Sequence, residues 1–278
     1  MKTLILGATG LLGKALMREW NGDEIFGLGS KDVDIREAVR VQRIVQETRP
    51  DWIVLAAAYT DVDGCESNVE LAFAVNRDGA VNVAEAARSY GAKLLFVSSD
   101  YVFDGKKTSP YEADDIRNPQ SVYGRTKAEA EIRLLEILPY ICIARTSWLF
   151  GAGGKCFPDT ILKLAASRPA LNVVNDQRGC PTYSVDLARA IIGLCRKNAQ
   201  GILHVTNAGD CSWFEFAREI VKGAGLATEV NPVSSVQMVR PAPRPAYSVL
   251  SATTLHRYGI EISTWADALQ RYLKEREV

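Results

Sequence analysis

The sequence predicts an α/β protein: a doubly wound parallel sheet followed by a smaller C-terminal α/β region. Three observations predict it. Short apolar runs without polar alternation recur through the first half, as strands covered on both faces do. Stretches with apolar residues at helical spacing separate them, the strand–helix rhythm of parallel sheets. A glycine-rich turn, GATGLLG at 7–13, follows the first run and opens the first helical stretch.

The first run covers 2–6 and its helix 11–20. A second run, 24–28, leads to a helical stretch over 36–48, with Val39, Val41, Ile44 and Val45 as its apolar positions and Pro50 as its stop. The third run, 52–58, is continuous enough to be buried on both faces. A long Ala- and Val-rich helix is expected over 69–90, ending at Gly91, before a fourth strand at 93–98. Helix 123–138 stops at Pro139, and 140–146 is the fifth strand.

After Phe150 the texture changes. Three glycines crowd 151–154, strands are expected at 171–174 and 202–205, and helices at 184–197 and 212–223. A final helix over 263–276 sets Trp265, Ala268, Leu269 and Tyr272 on one face. The expected division is residues 1–150 for a cofactor domain and 151–278 mainly for substrate, with the chain crossing between them. The segment 240–245, RPAPRP, reads as an irregular loop whose two arginines can also line an anion site.

Composition narrows the function classes. The 278 residues carry 33 basic and 33 acidic side chains. That balance argues against a general nucleic-acid or anionic-membrane binder. No apolar run reaches the roughly 20 residues that span a bilayer. The N-terminal run lacks a signal-peptide cleavage site, and the six cysteines form no CxxC pair. A cytoplasmic protein with reduced thiols is expected. Two histidines, His204 and His256, are too few for a histidine-rich metal site.

The glycine turn points to a dinucleotide. Glycine lets the chain turn tightly and lets a pyrophosphate approach the free N–H groups of the helix start. Gly7, Thr9, Gly10, Leu11, Leu12 and Gly13 are the candidate phosphate-side residues. The second strand ends in Gly29-Ser30-Lys31-Asp32. Ser30 and Lys31 can accept a 2′-phosphate, which favours NADPH; Asp32 competes for a ribose hydroxyl, which keeps NADH possible. As a plain loop charge, Lys31 would do neither. Asp34 and Ile35 can flank an adenine.

Tyr123-Gly-Arg-Thr-Lys127 is a YxxxK, which puts phenol and ammonium on one helix face. A nearby ammonium stabilises phenolate and is expected to lower the tyrosine pKa, suiting it to pass a proton to a carbonyl oxygen. Combined with the glycine turn, this resembles the extended short-chain dehydrogenase/reductase family. The resemblance implies a Rossmann-type fold and a serine or threonine partner at the end of the fourth strand. Ser99 is that candidate and Ser98 the local alternative.

Further segments resemble the dTDP-4-dehydrorhamnose reductase family within that group: AAAYT at 56–60 with Val62-Asp63, AVN at 74–76, SDYVFDG at 99–105, RTSW at 145–148, DQRGCPT at 176–182 and RPAYS at 244–248. The resemblance implies reduction of the C4 keto group of a dTDP-linked 4-keto-6-deoxy sugar. Ser99, Tyr123 and Lys127 would be catalytic, with Ala56, Ala57 and Ala58 on the cofactor side. Val102, Phe103, Asp104 and Trp148 would face the sugar, and Arg178 and Arg244 the diphosphate. Some members hold Mg²⁺ at a dimer interface through glutamates; Ala15 and 183–185 offer none here, with Asp186 the nearby acid, which argues against that metal and leaves monomer or homodimer open. The alternatives are another nucleotide-sugar 4-keto reductase or epimerase, or a non-catalytic NADP-binding regulatory subunit.

Overall fold

The computed structural model describes residues 1–276. Its centre is one six-stranded parallel sheet. Strand β1 (Lys2–Leu6) leads through α1 (Leu11–Glu19) to β2 (Glu24–Leu28), and α2 (Ala38–Thr48) to β3 (Trp52–Leu55). Three helical pieces follow: α3 (Val62–Ser67), α4 (Val69–Phe73) and α5 (Gly79–Tyr90). Then come β4 (Lys93–Ser99), α6 (Val122–Ile137) and β5 (Cys142–Thr146).

The second region opens with β6 (Leu149–Phe150), α7 (Phe157–Ala165), β7 (Ala170–Val174), β8 (Arg178–Gly179) and β9 (Thr182–Tyr183). The chain then returns to the main sheet through α8 (Ser184–Arg196) and β10 (Gly201–His204). It leaves again as β11 (Cys211–Ser212), α9 (Trp213–Gly223), β12 (Glu229–Val233), α10 (Thr253–His256) and α11 (Trp265–Arg276).

The strand order is β10-β5-β4-β3-β1-β2, every pair parallel. The order reverses beside β1, so a crevice opens at the carboxyl ends of β1 and β3, where such sheets bind ligands. Alternate residues of each strand feed two apolar layers. Ile5 and Val54 pack with α1 and α8, through Leu12, Leu16, Leu187 and Ile191. Leu4, Leu6 and Ile53 pack with α2, α5 and α6, through Val41, Val83 and Leu134. A third cluster, around Phe150, Phe216 and Tyr272, is the core of the second region. All six cysteines are buried and unpaired.

Four expectations change. The helix over 69–90 is interrupted by a π-helical turn at Ala74–Asp78. There Asn76 turns inward, accepting from the Tyr59 N–H at 2.7 Å and donating to the Tyr59 carbonyl and Thr126 Oγ1 at 3.1 and 3.0 Å. The third strand stops at Leu55, because residues 56–58 leave the ladder to form the crevice wall. Val39 is 81% exposed, since α2 starts at Ala38 and turns only Val41, Ile44 and Val45 inward. In the last helix Leu273 joins the buried face.

A buried ion pair holds the layers in register. Arg145 on β5 grips Glu131 on α6 through Nε–Oε1 at 2.9 Å and Nη2–Oε2 at 2.7 Å, and both residues are 0% exposed. Ser98 of β4 donates to the same carboxylate at 2.6 Å, and Arg117 reaches it at 3.1 Å. Removing one member of such a pair strands the other charge, at a cost of about 3–5 kcal/mol. Arg145→Met is therefore expected to lower the melting temperature by roughly 6–20 °C. Glu131→Leu added to it should recover most of the loss. Calorimetry showing equal loss in single and double variants would contradict this.

Candidate active site

The crevice is a cavity of about 750 Å³ that runs from the glycine turn, past α6, to the second region. Its cofactor side is shaped by steric necessity. Gly7 has φ +95°, and a Cβ there would lie 2.5 Å from the Ala57 nitrogen. A Cβ at Gly13 would lie 2.1 Å from the Gly7 carbonyl oxygen. Only hydrogen at these positions lets β1, α1 and the 56–58 segment meet. Gly10 caps α1 without a side-chain bond and no acid occupies the first turn, which leaves N–H groups aimed at the cavity.

Gly7, Thr9, Gly10, Leu11, Leu12, Gly13, Ser30, Asp34, Ile35 and Ala56–Ala58 all line this end. Lys31 does not; it is exposed outside the cavity. Asp32 accepts from the Gly29 N–H at 2.8 Å, so its carboxylate closes the turn. The cation that lines the cavity here is Arg36, held by Asp34 through contacts of 2.9 and 3.0 Å. It follows the Asp34-Ile35 pair directly, one residue beyond the candidates that the sequence singles out.

At the other end Ser99, Tyr123 and Lys127 converge. Helix α6 starts on Ser121, whose hydroxyl accepts from the Gly124 N–H at 3.1 Å. A Cβ at Gly124 would lie 2.2 Å from the Tyr101 carbonyl oxygen, so this glycine lets the first turn press onto 100–102. That contact sets the Tyr123 ring edge-on to Tyr101, centroids 5.7 Å apart. The expected electrostatics are reversed. Burial raises the Tyr123 phenol well above its ordinary pKa, and the Ser99 hydroxyl pulls it partly back. The Lys127 ammonium is engaged elsewhere, donating to the Val97 carbonyl at 2.7 Å and standing 4.0 Å from the Phe96 ring centroid. Burial pushes Lys127 down to about 7, with Glu131 opposing. Ser98 turns its hydroxyl to Glu131, whereas Ser99 bonds Asp100 at 2.9 Å beside the phenol.

The substrate assignments split. Trp148 lines the cavity, with its ring over Gly179 and stacked on Trp213. Its φ of +45° is a strained value for tryptophan. Val102 and Phe103 do not face the cavity; they are buried in a small core with Tyr111, Ala128 and Leu250. Asp104 points away too, accepting from the Tyr111 hydroxyl at 2.7 Å and Asn118 at 3.2 Å. The 3₁₀ turn at Asp100–Val102 rotates the motif, so Asp100 and Tyr101 take the cavity positions. Arg178 is paired with Asp210 and Glu215, at 2.8 and 3.1 Å. Arg244 bonds Asp63 at 2.9 Å and straps the Pro-rich loop to α3. Neither lines the cavity. Asp186 is held by Arg271 and Asn207, at 2.6 and 2.7 Å.

Asp100 is the residue that the motif's spacing hid. It is 1% exposed, lines the cavity, and its Oδ2 has no hydrogen-bond partner. Burial pushes its carboxyl up to about 6, against the pull of Ser248 and Ser99. A folded-state pKa above the unfolded value of 3.8 means the native state holds the extra proton between these values. Stability is thus lost as pH rises from about 4 to 6, by roughly 2–3 kcal/mol. Asp100→Asn should remove that loss. Its melting temperature should exceed that of the parent by several degrees at pH 7 and match it near pH 4. A difference independent of pH would contradict the assignment.

Comparison with known proteins places this geometry. The family model described as RmlD substrate binding domain matches residues 1–278. The spore coat polysaccharide biosynthesis protein SpsK of Bacillus subtilis is 41% identical over 277 residues, covering 99% of this chain and 98% of that protein. A dTDP-4-dehydrorhamnose reductase of Sinorhizobium fredii is 37% identical over 98% of this chain and 96% of its own length. The crystal structure of dTDP-4-dehydrorhamnose reductase from Bacillus anthracis, in complex with NADP, superposes with a TM-score of 0.96 at 39% identity, covering 99% of this chain and all of that one. Matched end to end by the model and by these proteins, the chain belongs to the RmlD substrate binding domain family.

Proposed function

We propose that the chain reduces the C4 keto group of dTDP-4-dehydro-L-rhamnose to dTDP-L-rhamnose, with NADPH as reductant. One observation carries the reading: Ser99, Tyr123 and Lys127 share one cavity with an uncapped, glycine-lined helix start. The residues fit the dinucleotide. Gly7 and Gly13 leave no side chain between backbone and ligand, and the α1 N–H groups would hold the pyrophosphate. When bound, the reduced nicotinamide supplies the hydride.

The chain's own residues handle the oxygen. Tyr123, with its pKa raised by burial, keeps its proton at neutral pH and is a donor in the reducing direction. As the keto oxygen gains charge, the phenol O–H bond breaks and the new O–H bond forms. Ser99 would donate a hydrogen bond that fixes the carbonyl. Lys127, in its charged form, would hold the nicotinamide ribose. The unpartnered Asp100 Oδ2 would accept from a sugar hydroxyl. Trp148 and Trp213 would cover the sugar and exclude water.

Coenzyme choice is assigned to Arg36 and Ser30, which line the ribose end. Arg36→Ala should weaken NADPH binding about 10-fold or more, the scale of a charged hydrogen bond, and leave NADH unchanged. Lys31→Ala should alter neither. Equal loss of both coenzymes in Arg36→Ala would refute the role.

The activity is tested by following NADPH oxidation with substrate made in situ from dTDP-glucose by a dehydratase and a 3,5-epimerase. Turnover that needs the epimerase is expected. Turnover without it would name a different 4-keto sugar, and NADPH binding without turnover would overturn the reading.

A further inference from the structure

The cavity has a third cation that no step above uses. Its lining cations are Arg36, Lys127 and Lys155. Arg36 is chelated by Asp34, and Lys127 is buried against the Val97 carbonyl. Lys155 is exposed and makes no ion pair among the described residues. The two arginines expected to meet a diphosphate are bound to carboxylates outside the cavity.

The backbone around Lys155 is anchored on both sides. Before it, Lys14 of α1 donates to the Gly153 carbonyl, and a Cβ at Gly154 would lie 3.2 Å from the Leu11 Cδ1. After it, Cys156 caps α7, and Phe157 packs on Trp213 with centroids 4.5 Å apart. The Lys155 backbone is therefore held between the start of α1 and the aromatic wall, with its side chain lining the cavity. The acids that line the cavity are elsewhere: Asp34 at the ribose end, and Asp100 beside Ser99.

The geometry points to Lys155 as a diphosphate clamp at the junction of the two walls. This rests on the reading of the cavity as a site for a dinucleotide and a sugar nucleotide. Both carry a diphosphate, and the same ammonium chemistry serves either. It is a binding and positioning role.

The test is Lys155→Gln, with Lys155→Arg as the charge-retaining control. Titration calorimetry would measure NADPH, dTDP and thymidine binding at two salt concentrations. One diphosphate ligand is expected to lose about 10- to 100-fold in affinity, with a shallower salt dependence, while Lys155→Arg stays near the parent. Loss confined to dTDP assigns the sugar nucleotide; loss confined to NADPH assigns the dinucleotide pyrophosphate. Unchanged affinity for both overturns the proposal, as does an equal loss for thymidine, which has no phosphate. These readouts need no turnover, so a failed activity assay would not be confused with a failed clamp. If the parent does not bind dTDP, the NADPH arm decides.

Discussion

The Glu131 carboxylate and the Arg145 guanidinium, both shut away from solvent, tie α6 to β5. Through Ser98 they reach β4, and through the His204 ring, 3.4 Å from Arg145, they reach β10. Tyr123, Lys127 and Glu131 lie four residues apart on α6, so they form one stripe. Gripping the lowest member fixes the rotation of the helix about its axis. Lys127 is then held one turn above and Tyr123 two turns above, both lining the cavity. Burial on this stripe raises the phenol above its ordinary pKa and makes the lysine charge easy to lose. A surface version of the same YxxxK would have neither property.

The cavity joins walls built by opposite means. On the cofactor side, side chains are deleted so that backbone can approach ligand. On the far side, rings are crowded: Trp148 adopts a strained φ, and Gly179 exists beneath it to make room. Strain of this kind persists only where surrounding structure over-determines it. Here the Trp213 stack and the Phe157 contact do so. The return of α8 and β10 to the main sheet makes the two regions share one core face, with Leu187 and Leu203 beside Ile5 and Val54.

What was readable in the sequence follows from what leaves a local mark. Doubly covered strands, helix periodicity and the glycine turn are local patterns, and β1, β2, β4, α8 and α9 lie within a residue of expectation. The spacing of Tyr123 and Lys127 is local as well. Side-chain direction inside a motif is not. Asp100 and Asp104 read alike in sequence, but a 3₁₀ turn sends one to the cavity and the other to Tyr111. Whether a cation is free is equally hidden. Arg178 and Arg244 meet their acids across 32 and 181 residues. The sign of the tyrosine shift was missed because spacing says nothing of desolvation. Trp213 left no signal beyond an ordinary apolar helix position, and Phe157 opens α7, a helix outside the expected elements.

The account turns on Tyr123 being the proton donor that α6 holds in place, which a single-turnover comparison of the parent with Tyr123→Phe tests most directly. NADPH and the dTDP-4-keto sugar would both be saturating, and NADPH affinity would be measured separately. The account predicts unchanged NADPH affinity with the oxidation step slowed at least about 100-fold, the scale of general-acid catalysis. A near-parental rate for the variant would contradict it.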